Sequence, residues 1–147
     1  MTVPVVIIDA SVAVRWVLDD EPSRAGALTL RSALETGRVA AVEPAHFMLE
    51  VAGALDRAVR DGRIGVEEAG RALLALEAVS FDDTPAMAVA GASFDVAVMT
   101  GVRVPDAAYV VCAARNRAQL VTADARQLEA AERAGVAAVA LADLPSP

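Results

Sequence analysis

The segment VVIIDASVAVRW (residues 5–16) sets the architecture of this chain. A short apolar run ends in the carboxylate of Asp9, a small residue and the hydroxyl of Ser11, and a helical pattern then begins. We predict a buried strand whose carboxyl end places Asp9 at the edge of a sheet, where open α/β sheets bind ligands. Helix capping is the alternative for both side chains, because Asp and Ser accept hydrogen bonds from first-turn amides.

The composition is that of a single folded domain. The 147 residues can bury a sizeable core, and 56% of them are hydrophobic but only 3% aromatic, so Ala, Val and Leu must fill it. The apolar runs are too short to cross a bilayer, and the first residues lack the basic flank of a signal peptide. The single cysteine, Cys112, suits a reducing compartment. We expect one domain over residues 1–147, with a loose tail at 145–147, in the cytoplasm.

The charge is acidic. The formal net charge is −7, with 20 acidic residues against 13 basic ones, all of them arginine. This balance argues against indiscriminate nucleic-acid binding, which uses broad positive surfaces. It does not exclude a nuclease, since a bound metal ion can bridge an acidic site to phosphate. It also suits a basic protein partner.

Strand and helix patterns alternate along the chain, which indicates βαβ units and a parallel sheet. The helix that follows Asp106 is so apolar that it must pack centrally against the sheet. Residues 82–85, Asp-Asp-Thr-Pro, read as a turn. The predicted strands are 3–8, 39–42, 79–81, 119–122 and 136–141, and the predicted helices are 12–18, 23–36, 43–61, 67–79, 86–100, 106–114 and 126–134.

Four carboxylates stand out from the solvated surface. Asp9 and Asp124 each follow an apolar strand, so both should emerge at one edge of the sheet. Asp106 precedes a buried helix, whose dipole favours an anion. Helix capping is the alternative role for Asp9, Asp106 and Asp124. Glu50 lies in the middle of a predicted helix beside its buried stripe, and the alternative there is an ion pair with Arg57 or another arginine.

The functional interpretation is that these four acids meet at one end of the sheet. Close carboxylates repel one another unless a cation lies among them, and an all-oxygen set favours Mg²⁺ or Mn²⁺ over zinc. His46 and Cys112 cannot build a zinc site between them. Ser11 and Thr122, each two residues from an acid, could hold a carboxylate or a metal-bound water, with capping and strand-end bonding as alternatives. The sequence has no phosphate-binding glycine loop, nucleophile elbow or H-E-x-x-H motif.

Four segments together resemble the PIN-domain family, and most closely its VapC-type toxins of bacterial toxin–antitoxin pairs. They occur in order, span nearly the whole chain, and read IDASVAVRW (8–16), EPAHFMLEV (43–51), PDAAY (105–109) and LVTAD (120–124). One departure is Pro105, because such proteins often carry an aromatic residue before this aspartate. Proline suits the start of a helix.

The resemblance implies a three-layer α/β/α domain with a five-stranded parallel sheet in the order 3-2-1-4-5. It also implies a Mg²⁺-dependent endoribonuclease (Mn²⁺ is the alternative ion) whose catalytic and metal-binding acids are Asp9, Glu50, Asp106 and Asp124. Members typically form homodimers and are held inactive by a small antitoxin whose basic tail reaches the acidic site.

Hydrolysis of an RNA phosphodiester by water is therefore the predicted reaction, with a five-prime phosphate on the product. Arg15, Arg103 and Arg126 are candidate phosphate contacts, and plain surface solvation is their alternative. The rival readings are a catalytically silent PIN-fold module that binds RNA or protein, and a metal-dependent phosphatase or DNA nuclease.

Overall fold

A sheet of five parallel strands forms the centre of the computed structural model, which describes residues 2–145. Numbered along the chain, the strands lie in the order 3-2-1-4-5, as the family resemblance implied. Of the predicted loose tail, residues 146–147 lie outside the described residues. The strands are β1 (Val5–Ile8), β2 (Ala40–Pro44), β3 (Phe81–Thr84), β4 (Gln119–Thr122) and β5 (Ala138–Ala140).

Helices connect the strands and form two groups. Those from the first half of the chain pack on one another, and so do those from the second half, as expected for layers on both faces of a parallel sheet. No single helix of the described chain is long and apolar enough to span a membrane. The helices at Ala86–Thr100 and Val104–Asn116 meet that test only together, as a pair bent by 113°. The helices are α1 (Ala10–Val17), α2 (Arg24–Glu35), α3 (Phe47–Arg60), α4 (Val66–Glu77), α5 (Ala86–Thr100), α6 (Val104–Asn116) and α7 (Ala125–Arg133).

The predicted central helix is α6. Every residue from Ala107 to Ala113 is buried, and the helix contacts β1, β2 and β4. Small and branched side chains therefore fill most of the core, as the composition indicated. The one tryptophan, Trp16 on α1, is also buried, and its indole Nε1 donates to the carbonyl oxygen of Ala27 over 2.7 Å.

The start of α3 was predicted wrongly. Glu43 and Pro44, assigned to the front of a helix, are the last residues of β2, and the helix begins only at Phe47. The reason is tertiary: the buried Glu43 carboxylate accepts the backbone N–H of Ile8 over 2.8 Å, which fixes it in the sheet. Glu50 consequently lies in the first turn of α3 rather than in its middle.

The boundaries of two strands also differ from the prediction. Residues 82–84 of the segment predicted as a turn belong to β3, because Asp82 pairs with Val42 and Asp83 with Glu43 in parallel register. β3 lies at the edge of the sheet, where charged side chains are tolerated. The last strand is shorter than residues 136–141, because Leu141 begins a 3₁₀ turn.

Candidate active site

Asp9 and Asp124 follow neighbouring strands and lie at the starts of α1 and α7. The backbone N–H of Asp9 donates to the carbonyl oxygen of Val121 in β4 over 3.0 Å, which ties the two strand ends together. Asp9 Oδ2 accepts the backbone N–H of Ser11 over 3.0 Å, and Asp124 Oδ1 accepts that of Arg126 over 2.9 Å. Helix capping, the alternative for both acids, is therefore present, and in each case it engages one carboxylate oxygen.

Glu50 reaches the same region from α3. Its Oε2 accepts the hydroxyl of Tyr109, a fully buried residue of α6, over 2.6 Å. The imidazole Nε2 of His46 lies 3.9 Å from the same oxygen and 3.0 Å from the carbonyl oxygen of Pro105. Within residues 2–145 no arginine pairs with Glu50, so the predicted alternative of an ion pair with Arg57 or another arginine was wrong.

Asp106 lies in the first turn of α6, as predicted, and it has a cationic partner. Arg103 Nε lies 3.1 Å from Asp106 Oδ2, and its Nη2 lies 3.5 Å from Oδ1. The arginine is 77% exposed and the aspartate 20%. This bidentate pair neutralises one of the four acids, and it sits at the surface, where such pairs are weak and readily exchanged.

The four predicted acids line one open cavity of about 610 Å³. Burial is the main cause that raises the pKa of Asp9, and repulsion from Asp106 raises it further. Burial likewise raises the pKa of Glu50, with smaller contributions from Asp9 and Asp106. The chain therefore brings together four carboxylates that are far apart in sequence, close enough for three of them to repel one another.

Each carboxylate is held by its own protein donor rather than gathered about a common point. Among the residues that the structure describes, no three His, Cys, Asp or Glu side chains are placed to hold a metal ion. The donors are nevertheless all oxygens, which fits a hard divalent cation such as Mg²⁺ or Mn²⁺. Such an ion would compete with Arg103 for the oxygens of Asp106.

Gln127 is a site residue that the sequence reasoning missed. It lies on α7, is 1% exposed, and donates from Nε2 to Asp9 Oδ1 over 3.3 Å and to the Asp106 carbonyl oxygen over 3.0 Å. Both partners are acceptors, so the amide nitrogen must face them, and this settles the orientation of the amide. One side chain thus links the elements that carry Asp9, Asp106 and Asp124. The only sequence signal was its place three residues after Asp124.

The two predicted hydroxyls bind backbone. Ser11 Oγ accepts the N–H of Ala123 over 3.3 Å, and Thr122 Oγ1 accepts the N–H of Asp124 over 3.0 Å. Both bonds act on the turn between β4 and α7, which presents Asp124. Strand-end bonding, the alternative for these residues, is what the structure contains.

The predicted phosphate-binding arginines are placed differently from one another. Arg15 lines the cavity, but it donates to the carbonyl oxygens of Ser11 and Pro22, over 2.7 Å and 2.8 Å. Arg103 lines the cavity in its pair with Asp106. Arg126 lies outside this group and lines a separate cavity of about 220 Å³.

Glu43 is a second buried acid that was missed, and it lies beneath the site. It is fully buried at the end of β2, and its Oε2 has no hydrogen-bond partner among the described residues. Burial raises the pKa of Glu43 well above its ordinary value, and repulsion from Asp9 adds to this. The rule that identified Asp9, an acid directly after an apolar strand, would also have identified Glu43.

Comparisons with known proteins agree with this architecture. The family model described as "PIN domain" matches residues 6–133. The crystal structure of PAE2754 from Pyrobaculum aerophilum superposes with a TM-score of 0.69 at 20% identity, covering 95% of this chain and 91% of that chain. At this identity the likeness shows the fold alone. No curated protein sequence matches the chain.

Proposed function

The chain belongs to the PIN-domain family, and on that premise we propose that it is a metal-dependent endoribonuclease that hydrolyses RNA phosphodiesters. PIN domains are generally nucleases and typically bind divalent metal ions. The observation that carries the proposal is the single cavity lined by Asp9, Glu50, Asp106 and Asp124. Each acid has a local partner: two cap helices, one pairs with Arg103, and Glu50 accepts the Tyr109 hydroxyl. These local bonds do not explain why the acids converge from four separate elements.

In this proposal Asp9 and Asp124 are the principal ligands of Mg²⁺ or Mn²⁺, Asp106 completes the set, and Glu50 holds a second ion or orients the attacking water. A bound divalent cation supplies an activated water and neutralises charge on the scissile phosphate. Because water attacks, rather than the ribose hydroxyl, we expect a five-prime phosphate on the product.

The surrounding residues hold these acids for reaction. Gln127 fixes the Oδ1 of Asp9, and the Tyr109 hydroxyl fixes the Oε2 of Glu50. Hydrogen bonds from a second layer of residues orient ligating carboxylates and set their basicity. Arg103 neutralises Asp106 in the free protein and is available to a phosphate once a cation takes its place.

We further propose that the nuclease is the toxin of a type II toxin–antitoxin pair and works in the cytoplasm as a homodimer. The resemblance to VapC-type toxins supports this role. The acidic cavity and the net charge of −7 suit an antitoxin with a basic tail. The exposed apolar side chains of α5, which include Met87, Phe94 and Val98, suit a subunit interface.

The test is incubation of the purified protein, freed of any partner, with RNA, DNA and a phosphomonoester, in Mg²⁺ or EDTA. We expect RNA cleavage in Mg²⁺ that is lost in EDTA and in Asp9→Asn. Asp95→Asn, which changes an exposed acid on α5, is the matched control and should cleave as the wild type does. Equal cleavage by Asp9→Asn and the wild type would contradict the proposal, and RNA binding without cleavage would indicate the silent module.

A further inference from the structure

The acidic cavity continues along one face of α3. Glu50, Gly53, Ala54 and Arg57 recur at helical spacing and all line it. At about 1.5 Å per residue, the Cα of Arg57 lies roughly 10 Å along the helix from the Cα of Glu50. The four carboxylates meet at one end of the cavity, and Arg57 lies further along it. A fifth acid that lines the cavity, Glu21, is already paired with Arg15 and Arg63.

Arg57 differs from the other arginines of this cavity in having no protein partner. Arg15 is bound to backbone carbonyl groups and lies 3.5 Å from Glu21, and Arg103 is paired with Asp106. Arg57 is exposed, and within residues 2–145 its side chain takes part in no hydrogen bond or salt bridge. An unneutralised guanidinium with five donors in a planar fork is suited to a phosphate group.

The surface between Glu50 and Arg57 is apolar, and the guanidinium of Arg57 reaches back over part of it. Gly53 has no side chain there, and a Cβ at this position would meet only the Nη1 of Arg57, at 3.8 Å. Ala54 adds a single methyl group, and Leu49, which is 76% exposed, lies one helical turn from Gly53. This surface can pack against the apolar face of a nucleobase, and none of its side chains can read a base by hydrogen bonding.

We propose that a single RNA strand lies along this face of α3, with its scissile phosphate at the four acids and another phosphate of the same strand on Arg57. The proposal rests on the proposed endoribonuclease function and extends it to how the substrate lies. An anionic strand is favoured over a basic peptide on the Arg57 side, because a basic peptide would bring like charge to an unpaired guanidinium.

The expected signature is a loss of affinity that does not depend on sequence. A phosphate contact on a single strand contributes about 0.7 to the slope of log K against log salt, so its loss weakens binding roughly fivefold at about 0.1 M salt. The contact is the same in the ground state and the transition state, so KM should rise while kcat is unchanged.

The experiment measures binding of a fluorescent single-stranded RNA by anisotropy over a range of salt concentrations, with Ca²⁺ as the divalent ion. We expect Arg57→Gln to weaken binding about fivefold and to lower the salt slope by about 0.7, and Arg57→Lys to restore most of that slope. Arg60→Gln is the matched control, because Arg60 lies on the same helix, pairs with Asp56 over 2.8 Å and does not line the cavity.

Wild-type affinity and salt slope in Arg57→Gln would overturn the proposed path, and so would an equal loss in Arg60→Gln or a wild type that binds no RNA. Circular dichroism of each variant checks that the fold is kept. If RNA binds in an Arg57-dependent way but is never cleaved in Mg²⁺, the endoribonuclease function fails while the strand path stands, so the two failures are distinguishable.

Discussion

Replacing Gln127 by Met separates the positioning of Asp9 from the stability of the fold. Methionine has a similar length and volume, so the buried site stays filled. The amide loses its hydrogen bond to the charged Asp9 Oδ1 and its hydrogen bond to the neutral Asp106 carbonyl oxygen. These losses cost about 2–4 kcal/mol together, by the usual values for a charged and a neutral hydrogen bond.

A gain offsets much of this cost. Gln127 Oε1 is buried with no hydrogen-bond partner among the described residues, and removing such an acceptor returns about 1–3 kcal/mol. The free energy of unfolding should therefore fall by only about 1 kcal/mol. Catalysis should suffer more, because loss of a side chain that orients a ligating group lowers activity roughly 10–100-fold.

The pH dependence should also move. The hydrogen bond from Gln127 lowers the pKa of Asp9, so its removal raises that pKa and shifts the acid limb of the activity profile to higher pH. The assays are RNA cleavage in Mg²⁺ against pH and chemical denaturation, with Gln119→Met, at an exposed position of β4, as the control. Cleavage within about twofold of the wild type, in a Gln127→Met protein that retains its fold, would refute the positioning role.

Two further substitutions test the acids' surroundings. Tyr109→Phe removes the hydroxyl that donates a hydrogen bond to Glu50, so the pKa of Glu50 should rise. The free energy of unfolding should fall by about 1–3 kcal/mol. An unchanged denaturation midpoint would count against this hydrogen bond. In the folded protein the pKa of Glu43 lies well above its ordinary value of 4.5, so the native state keeps a proton that the unfolded chain releases. The free energy of unfolding should therefore fall by about 1.4 kcal/mol per pH unit as pH rises above 4.5 towards the pKa of Glu43 in the folded protein. Denaturation of the wild type and of Glu43→Gln over a range of pH should show that the variant lacks this pH-dependent loss.

Local sequence patterns were enough to locate two of the acids at strand ends, Asp9 and Asp124. An apolar run that ends in an acid is a short-range signal, and it placed Asp9 and Asp124 at the same edge of the sheet. The strand order implied by the family resemblance, which the structure has, is what makes their strands neighbours. The bounds of α5 and β4 also matched from local patterns, since Pro85, Gly101 and the flanking polar residues mark them locally.

The partners of the acids could not be read in this way. Gln127 meets Asp9, and Tyr109 meets Glu50, only because α7 and α6 pack beside the ends of the sheet. Glu43 was missed because an acid followed by proline is typical of a helix start, and here burial in the sheet overrides that preference. Residue spacing assigns such side chains to their own helix or strand, but it does not show which acid each of them meets in the fold.

The most direct test of the central claim, that the four carboxylates act together by holding a divalent cation, is calorimetric titration of Mn²⁺ into the wild type, Asp9→Asn and Asp124→Asn. We predict saturable binding by the wild type that weakens by more than about tenfold in both variants, with Asp95→Asn unchanged. Equal Mn²⁺ affinity in the wild type, Asp9→Asn and Asp124→Asn would contradict the account.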